Sequence, residues 1–195
     1  MPRFSKIEKE NIQKRLLLEG EKLFAAHGLK KVTIDDLVTA VGIAKATFYT
    51  FYESKEYLYL DIVQGIQNSI FTELNRLLED NANLPSRERV RQVFDKMTEL
   101  MMQYPILSQI DMGAVDAISR KVAGERMAAF YRQNVDAAQS LHNHGVRFTC
   151  EVKVASMIFQ SLYRCFLDFQ PGDPEERILV ITLMRDGIID KIVID

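Results

Sequence analysis

Thr33–Lys55, TIDDLVTAVGIAKATFYTFYESK, is the stretch that decides the fold, because it reads as two short helices joined by a tight turn. Thr33 is followed three residues later by Asp36, so hydroxyl and carboxylate can satisfy free N–H groups at a helix start reciprocally. Ile34, Leu37, Val38 and Val41 recur at helical spacing, and Gly42 can take positive φ and turn the chain without a Cβ clash. In the helix that follows, Phe48 and Phe51 fall within about 40° of Ala44, and Lys45, Ala46, Tyr49 and Thr50 lie on the opposite arc. The inner face is apolar. The outer face mixes a cation, a methyl, a phenol and a hydroxyl, groups that meet phosphate oxygens, base-edge acceptors and a thymine methyl in a major groove. The pattern is that of a DNA-reading helix-turn-helix, although by itself it also fits an ordinary αα-hairpin with a solvated face.

Lys55 shifts the balance. Ser54 is placed as an N-cap, so Lys55 falls in the first turn of the next helix, where the macrodipole disfavours a cation by roughly 0.3–1 kcal/mol. A positive charge there makes sense if a DNA phosphate docks at that helix end, gaining from the lysine and the free N–H groups together.

The set Gly28, Thr33, Ile34, Leu37, Val41, Gly42, Ile43, Lys45, Thr47, Phe48, Tyr49, Tyr52, Ser54, Lys55 and Leu58 resembles the DNA-binding domain of the TetR family of bacterial transcription regulators. The resemblance implies that Thr33, Tyr49 and Lys55 hold the DNA backbone and that Lys45, Ala46, Thr47 and Thr50 face the major groove. Three positions depart from the family pattern. Ala44 stands where a capping Ser or Thr is frequent, Ala46 where Gly is frequent, and Phe51-Tyr52 inverts a frequent Tyr-Phe or His-Phe order. Which of Phe51 and Tyr52 is core is left open by that inversion.

At 195 residues the chain has room for a small head on a larger body. Its formal net charge of -2 argues against a surface coated for nucleic acid, so the distribution matters more than the total. Residues 1–55 hold ten Lys/Arg against seven Asp/Glu, and the remainder fifteen against twenty. The basic surplus therefore falls on the segment expected to touch DNA, where Arg3, Lys6, Lys9, Lys14, Lys30 and Lys31 can add phosphate contacts. Cys150 and Cys165 have neither CxxC spacing nor clustered ligand partners, so no metal site or disulfide framework is indicated and a cytoplasmic location is expected. Neither a signal-peptide pattern nor a run of about 18 apolar residues is present, so no membrane association is expected.

Ser5 with Glu8 makes a second capping box, and Ile12, Leu16, Leu23 and Phe24 trace a helix face until Gly28. These observations predict a helix-turn-helix domain over residues 1–55, its recognition motif at 33–52, and a second domain over 56–195. A long connecting helix over 55–80 begins that domain, with Leu58, Ile62, Ile66, Ile70 and Leu74 on one face. The family resemblance makes this helix the link between ligand site and DNA-binding head. Further helices are predicted from Ser86 to Tyr104, from Ile106 to about Ile118, and from Gly124 to a cap at Gly145. His142 and His144 are two apart, on different sides of a helix, which reads as a solvated helix end rather than a metal site.

The last two helices are the most apolar, and a chain of this size can cover only one face of each. Ile178, Ile181, Leu183, Met184, Ile188 and Ile192 thus suggest a partner surface. The resemblance implies a symmetric dimer built from these helices, with Phe159, Leu162, Ile181, Met184 and Ile188 at its interface. Methionines and aromatics spread over the second domain suit a hydrophobic or amphipathic small-molecule effector, with Met97, Met101, Tyr104, Phe130, Met157, Tyr163 and Phe166 as the expected lining. The P-loop, GxGxxG, GxSxG, HExxH and EF-hand patterns are all absent from the sequence, and no cofactor is indicated.

The sequence therefore predicts an all-α protein of about nine helices that binds double-stranded DNA as a homodimer on a palindromic operator. By family analogy it is a ligand-responsive repressor. The alternative is an all-helical small-molecule-binding protein or enzyme with no DNA-binding activity.

Overall fold

The computed structural model describes residues 4–109, 112–133, 137–168 and 174–195. The expected all-α architecture forms, with ten α-helices among the described residues. The chain divides into two compact units, one of residues 1–69 and 101–133, the other of residues 70–100 and 134–195. The unit that holds the head is larger than the head read from the sequence, because the helix after it and the 101–133 segment pack with it.

In the first unit, α1 (Lys6–Lys31) starts at the expected capping box: the Ser5 N–H donates to Glu8 Oε2 at 2.7 Å and the Glu8 N–H to Ser5 Oγ at 3.2 Å. Helical backbone stops where predicted, at Gly28, whose φ of 75° and ψ of 160° lie outside the helical region, and one more turn leads to Val32. Next come α2 (Ile34–Val41), α3 (Lys45–Phe48) and α4 (Lys55–Asp80), the last about 39 Å long at 1.5 Å per residue. Leu16, Phe24, Leu37, Val41, Phe48 and Leu58 are fully buried, and the Phe24 ring meets Tyr59 edge-on at 5.2 Å. Gly20 allows α1 and α4 to approach closely, since a Cβ there would lie 3.0 Å from Ile62 Cδ1 and 3.2 Å from Leu58 Cδ2.

The same unit contains a 3-10 turn (Pro105–Gln109) and α6 (Met112–Lys121), where one helix from Ile106 to about Ile118 was expected, and α7 (Gly124–Gln133), which starts at the expected Gly124. α1 packs against both the 3-10 turn and α6. The junction of α6 and α7 is tied to α4, because the Ala123 N–H donates to Tyr57 Oη at 3.0 Å and Arg126 pairs with Asp61.

The second unit holds the end of α4, most of α5 (Ser86–Gln103), then α8 (Ala137–Asn143), α9 (Val152–Asp168) and α10 (Pro174–Ile192). Two residues beyond α8, Gly145 lies in the left-handed region at φ 87° and closes the helix end, as its predicted cap role requires. The rings of His142 and His144 are used locally, their Nδ1 atoms facing the Val146 and Ser140 carbonyls at 3.3 and 2.8 Å. Two short strands, β1 (Arg147–Phe148) and β2 (Val193–Ile194), pair antiparallel, a feature the helical periodicity did not announce. Arg87 fastens this end further, its N–H donating to Asp195 at 2.8 Å and its Nε to the Val193 carbonyl at 3.0 Å. Among the described residues no helix is long and apolar enough to cross a membrane.

Candidate nucleic-acid interface

The helix-turn-helix is built by local rules. The Thr33 N–H and Oγ–H both donate to Asp36 Oδ2, at 2.8 and 2.7 Å, and the Asp36 N–H returns to Thr33 Oγ1 at 3.2 Å. These bonds, the Thr33 hydroxyl foremost, hold the Asp36 carboxyl below its ordinary 3.8. At the other end of α2, Gly42 sits in the left-handed region at φ 70° and ψ 43°, and its N–H and that of Ile43 close onto the Thr39 and Val38 carbonyls.

α3 is four residues long, and its N-cap Ala44 makes no side-chain cap, as the missing hydroxyl predicts. Its continuation is a turn in which the Thr50, Phe51 and Tyr52 N–H groups reach the carbonyls of Thr47 and Phe48 at 2.9–3.0 Å. Phe48 is the anchor, wholly inside. Beside it Tyr52 is only 5% exposed, its ring 6.0 Å from Phe48, whereas Phe51 is half-buried. Tyr52 is thus the core member of the pair, and burial pushes its phenol up to about 12, so that it stays neutral. On the outer side Lys45, Ala46, Tyr49 and Thr50 are all exposed and Thr47 is half-exposed. The Tyr49 ring stands edge-on to Phe48 at 5.7 Å with 53% of the residue accessible. Lys45 Nζ donates to Asp35 Oδ2 at 2.9 Å, a bond that raises the lysine above its ordinary 10.5.

Lys55 is placed differently from the expectation. Its ammonium donates to the carbonyls of Leu29, Lys30 and Val32, at 2.7, 3.3 and 2.6 Å. An ammonium has three donors, so this set uses all of them. The break at Gly28 leaves the last carbonyls of α1 short of helical partners, and a cation from the start of α4 completes them at the negative end of the α1 dipole. The first-turn lysine is therefore matched to the carbonyl end of a neighbouring helix. Ser54, expected as the N-cap of α4, has its Oγ buried with no hydrogen-bond partner among the described residues.

The residues read as a pocket lining do not gather in one unit. Met101 and Tyr104 belong to the first, where Met101 is buried and Tyr104 half-buried. Met97 and Tyr163 are half-buried in the second, where burial pushes the Tyr163 phenol up to about 12. Phe130 and Phe166 lie outside the residues whose side chains are described. Met157 is 60% exposed, on the outer side of α9 with Val154. Conversely, Phe159 and Leu162, expected at a subunit interface, are 4% and 3% exposed. The Phe159 ring meets Phe94 and Phe148 at 5.1 and 5.9 Å. α9 is apolar around most of its circumference, so periodicity could not say which side turns inward.

α10 is oriented by charge. Arg91 on α5 pairs with Asp186 at 3.3 Å and also with Asp190, and Arg185 pairs with Asp95 on α5. With Ile189 buried on that side, Val180 and Met184 are left exposed on the opposite arc, Leu183 is exposed beside Asp186 and Asp190, and Ile181 and Ile188 lie half-buried. An open recess in the first unit is lined by Lys30, Glu56, Ala117, Arg120 and Lys121, a polar set unlike the methionine-rich cavity expected.

Residues 16–62 match the family model described as bacterial regulatory proteins, tetR family. Over 94 residues the chain is 26% identical to the nucleoid occlusion factor SlmA of Vibrio campbellii, a match that spans 48% of this chain and 47% of that one. The chain thus spans about half the length of the curated relatives it matches. Among solved structures, a TetR-family transcriptional regulator from Mesorhizobium loti superposes with a TM-score of 0.63 at 14% identity, covering 93% of this chain and 94% of that one. The fatty acid degradation regulator FadR from Bacillus halodurans gives 0.68 at 9% identity, over 96% and 97%. At these identities the likeness shows a shared fold.

Proposed function

We propose, from a head that matches the tetR family of bacterial regulatory proteins and a chain with the fold of TetR-family transcription regulators, that this protein is a homodimeric DNA-binding repressor responsive to a small-molecule ligand. The observation that carries the reading is the split of α3 and its turn between a fully buried Phe48 and an exposed arc of Lys45, Ala46, Tyr49 and Thr50. An αα-hairpin needs the anchor. It does not need a cation, a phenol and a hydroxyl together on the far side, which is the set a major groove accepts. Thr33 and Tyr49 are suited to the phosphate backbone, and Lys45, Ala46, Thr47 and Thr50 to base edges. Lys55 acts by holding the end of α1 in place, which is a positioning role.

Dimerisation uses the exposed apolar faces of α9 and α10, with Val154, Met157, Leu183 and Met184 prominent. Two copies would set their recognition helices about 34–36 Å apart, one turn of duplex, on a palindromic site. The effector is a hydrophobic or amphipathic molecule. FadR, named for fatty acid degradation, is consistent with such chemistry.

The test is a binding isotherm on duplexes selected from a random pool, repeated across salt concentrations. Affinity should fall steeply with salt, by about 0.9 log units per tenfold salt for each phosphate contacted. A chain that selects no duplex, or binds without salt dependence, is not a DNA-reading regulator.

A further inference from the structure

We propose that Asp35 and Lys45 act as one reading unit for a C·G base pair, an inference that rests on the DNA-binding function above and names one of its specificity determinants. Asp35 comes from the first turn of α2 and Lys45 from the start of α3, so the pair bridges the two helices of the motif. Both side chains are more than half exposed, and Lys45 Nζ to Asp35 Oδ2 is 2.9 Å. The neighbouring Asp36 is occupied in the Thr33 capping box; Asp35 is directed to the lysine instead.

An ion pair this exposed contributes little to stability, so holding the fold together does not account for it. Beside DNA a bare carboxylate is unfavourable against phosphate, yet the major groove offers it amino donors, cytosine N4 and adenine N6. A C·G pair presents guanine N7 and O6 as adjacent acceptors, and next to them the cytosine N4 donor. O6 and N4 are hydrogen-bonded to each other, which sets them about 2.9 Å apart. That spacing is the same as the separation of Lys45 Nζ and Asp35 Oδ2. Laid against that edge, the ammonium donates to O6 and N7 while the carboxylate accepts the N4 hydrogen left over from base pairing. An A·T pair alternates acceptor, donor, acceptor and leaves the lysine one acceptor rather than two adjacent ones.

The pair is electrically neutral, and this gives it a second signature. With Asp35 in place, Lys45 adds little attraction to phosphates in general. Without it, the lysine is a free cation at the recognition surface. Removing the carboxylate should therefore strengthen binding to arbitrary duplex while weakening discrimination at one base pair.

The experiment selects bound duplexes from a random pool with the full chain and with Asp35→Asn, Asp35→Glu and Lys45→Gln, then measures salt dependence on the selected and scrambled sites. Wild type should fix a C·G pair at one position of each half-site. Asp35→Asn and Lys45→Gln should each lower that preference roughly ten-fold. Asp35→Glu should retain part of it. Asp35→Asn should also steepen the salt dependence, by about 0.9 per head, as the freed lysine takes a phosphate. The same motif and weights from wild type and Asp35→Asn would overturn the proposal, as would higher affinity with the preference intact, or an A·T pair at that position. Failure of wild type to select any duplex would sink the DNA-binding function itself, which is a separate result. Should Asp35→Asn unfold, Asp35→Glu and Lys45→Gln carry the test, and an unchanged preference in Lys45→Gln would overturn the proposal.

Discussion

Lys55 shows how one side chain can complete a helix end far away in the chain. Its three donors meet carbonyls at the end of α1, immediately before the Thr33 cap that opens α2. Lys55→Met should destabilise the chain by about 1–3 kcal/mol in urea unfolding, since hydrogen bonds to a charged group are lost and carbonyls are left short. DNA affinity should fall equally for all sequences, in step with the loss of folded head. An unfolding midpoint unchanged from wild type would return Lys55 to a phosphate-binding role. Asp36 supplies a pH prediction. Its folded-state pKa lies below 3.8, so the cap is fully present above that value and is lost as pH falls through the depressed one. Carboxyl resonances should show Asp36 titrating below 3.8, and Thr33→Val should move it back toward 3.8. The Thr33–Asp36 pair was legible in the sequence because its members are three apart and on one turn. The partners of Lys55 were not, because they lie 23 to 26 residues away and depend on where Gly28 breaks α1.

At the scale of elements, α3 is too short to stand alone: an isolated helix of four residues has no favourable balance of nucleation against propagation. Its order comes from Phe48 and Tyr52 beneath it. Phe48→Ala should cost about 3–5 kcal/mol and abolish DNA binding, as calorimetry and a binding assay would show. Ala44→Ser restores the missing cap and should raise stability by about 0.5–2 kcal/mol, readable as a higher melting temperature. Helices with a repeating apolar face, such as α4, were read from the sequence to within a residue at each end. The 3-10 turn Pro105–Gln109 and the β1–β2 pair were not. Segments of two to five residues carry too little periodicity to count, and Phe148 meets Val193 only because the whole second unit brings them together.

For the whole molecule, the informative surface is the exposed apolar set on α9 and α10, the latter oriented by the contacts of Arg91 with Asp186 and Asp190. Leu183→Glu should leave the monomer folded, shift sedimentation to the single-chain mass, and weaken operator binding far more than non-specific binding, because only the paired reading of two half-sites is lost. Sequence composition announced that such a surface exists. The family resemblance placed Phe159 and Leu162 on it and Met157 was read into the effector lining instead, because nothing in α9 itself says which side will meet Phe94. The Tyr49 ring, half accessible on its Phe48 seat, gives the molecule one further property. The chain contains no tryptophan, so Tyr49→Trp would install its single indole on the surface proposed to meet DNA. Its emission would report docking as quenching by adjacent bases, and the protein would become its own optical probe of complex formation, with no dye or label to perturb the surface being measured.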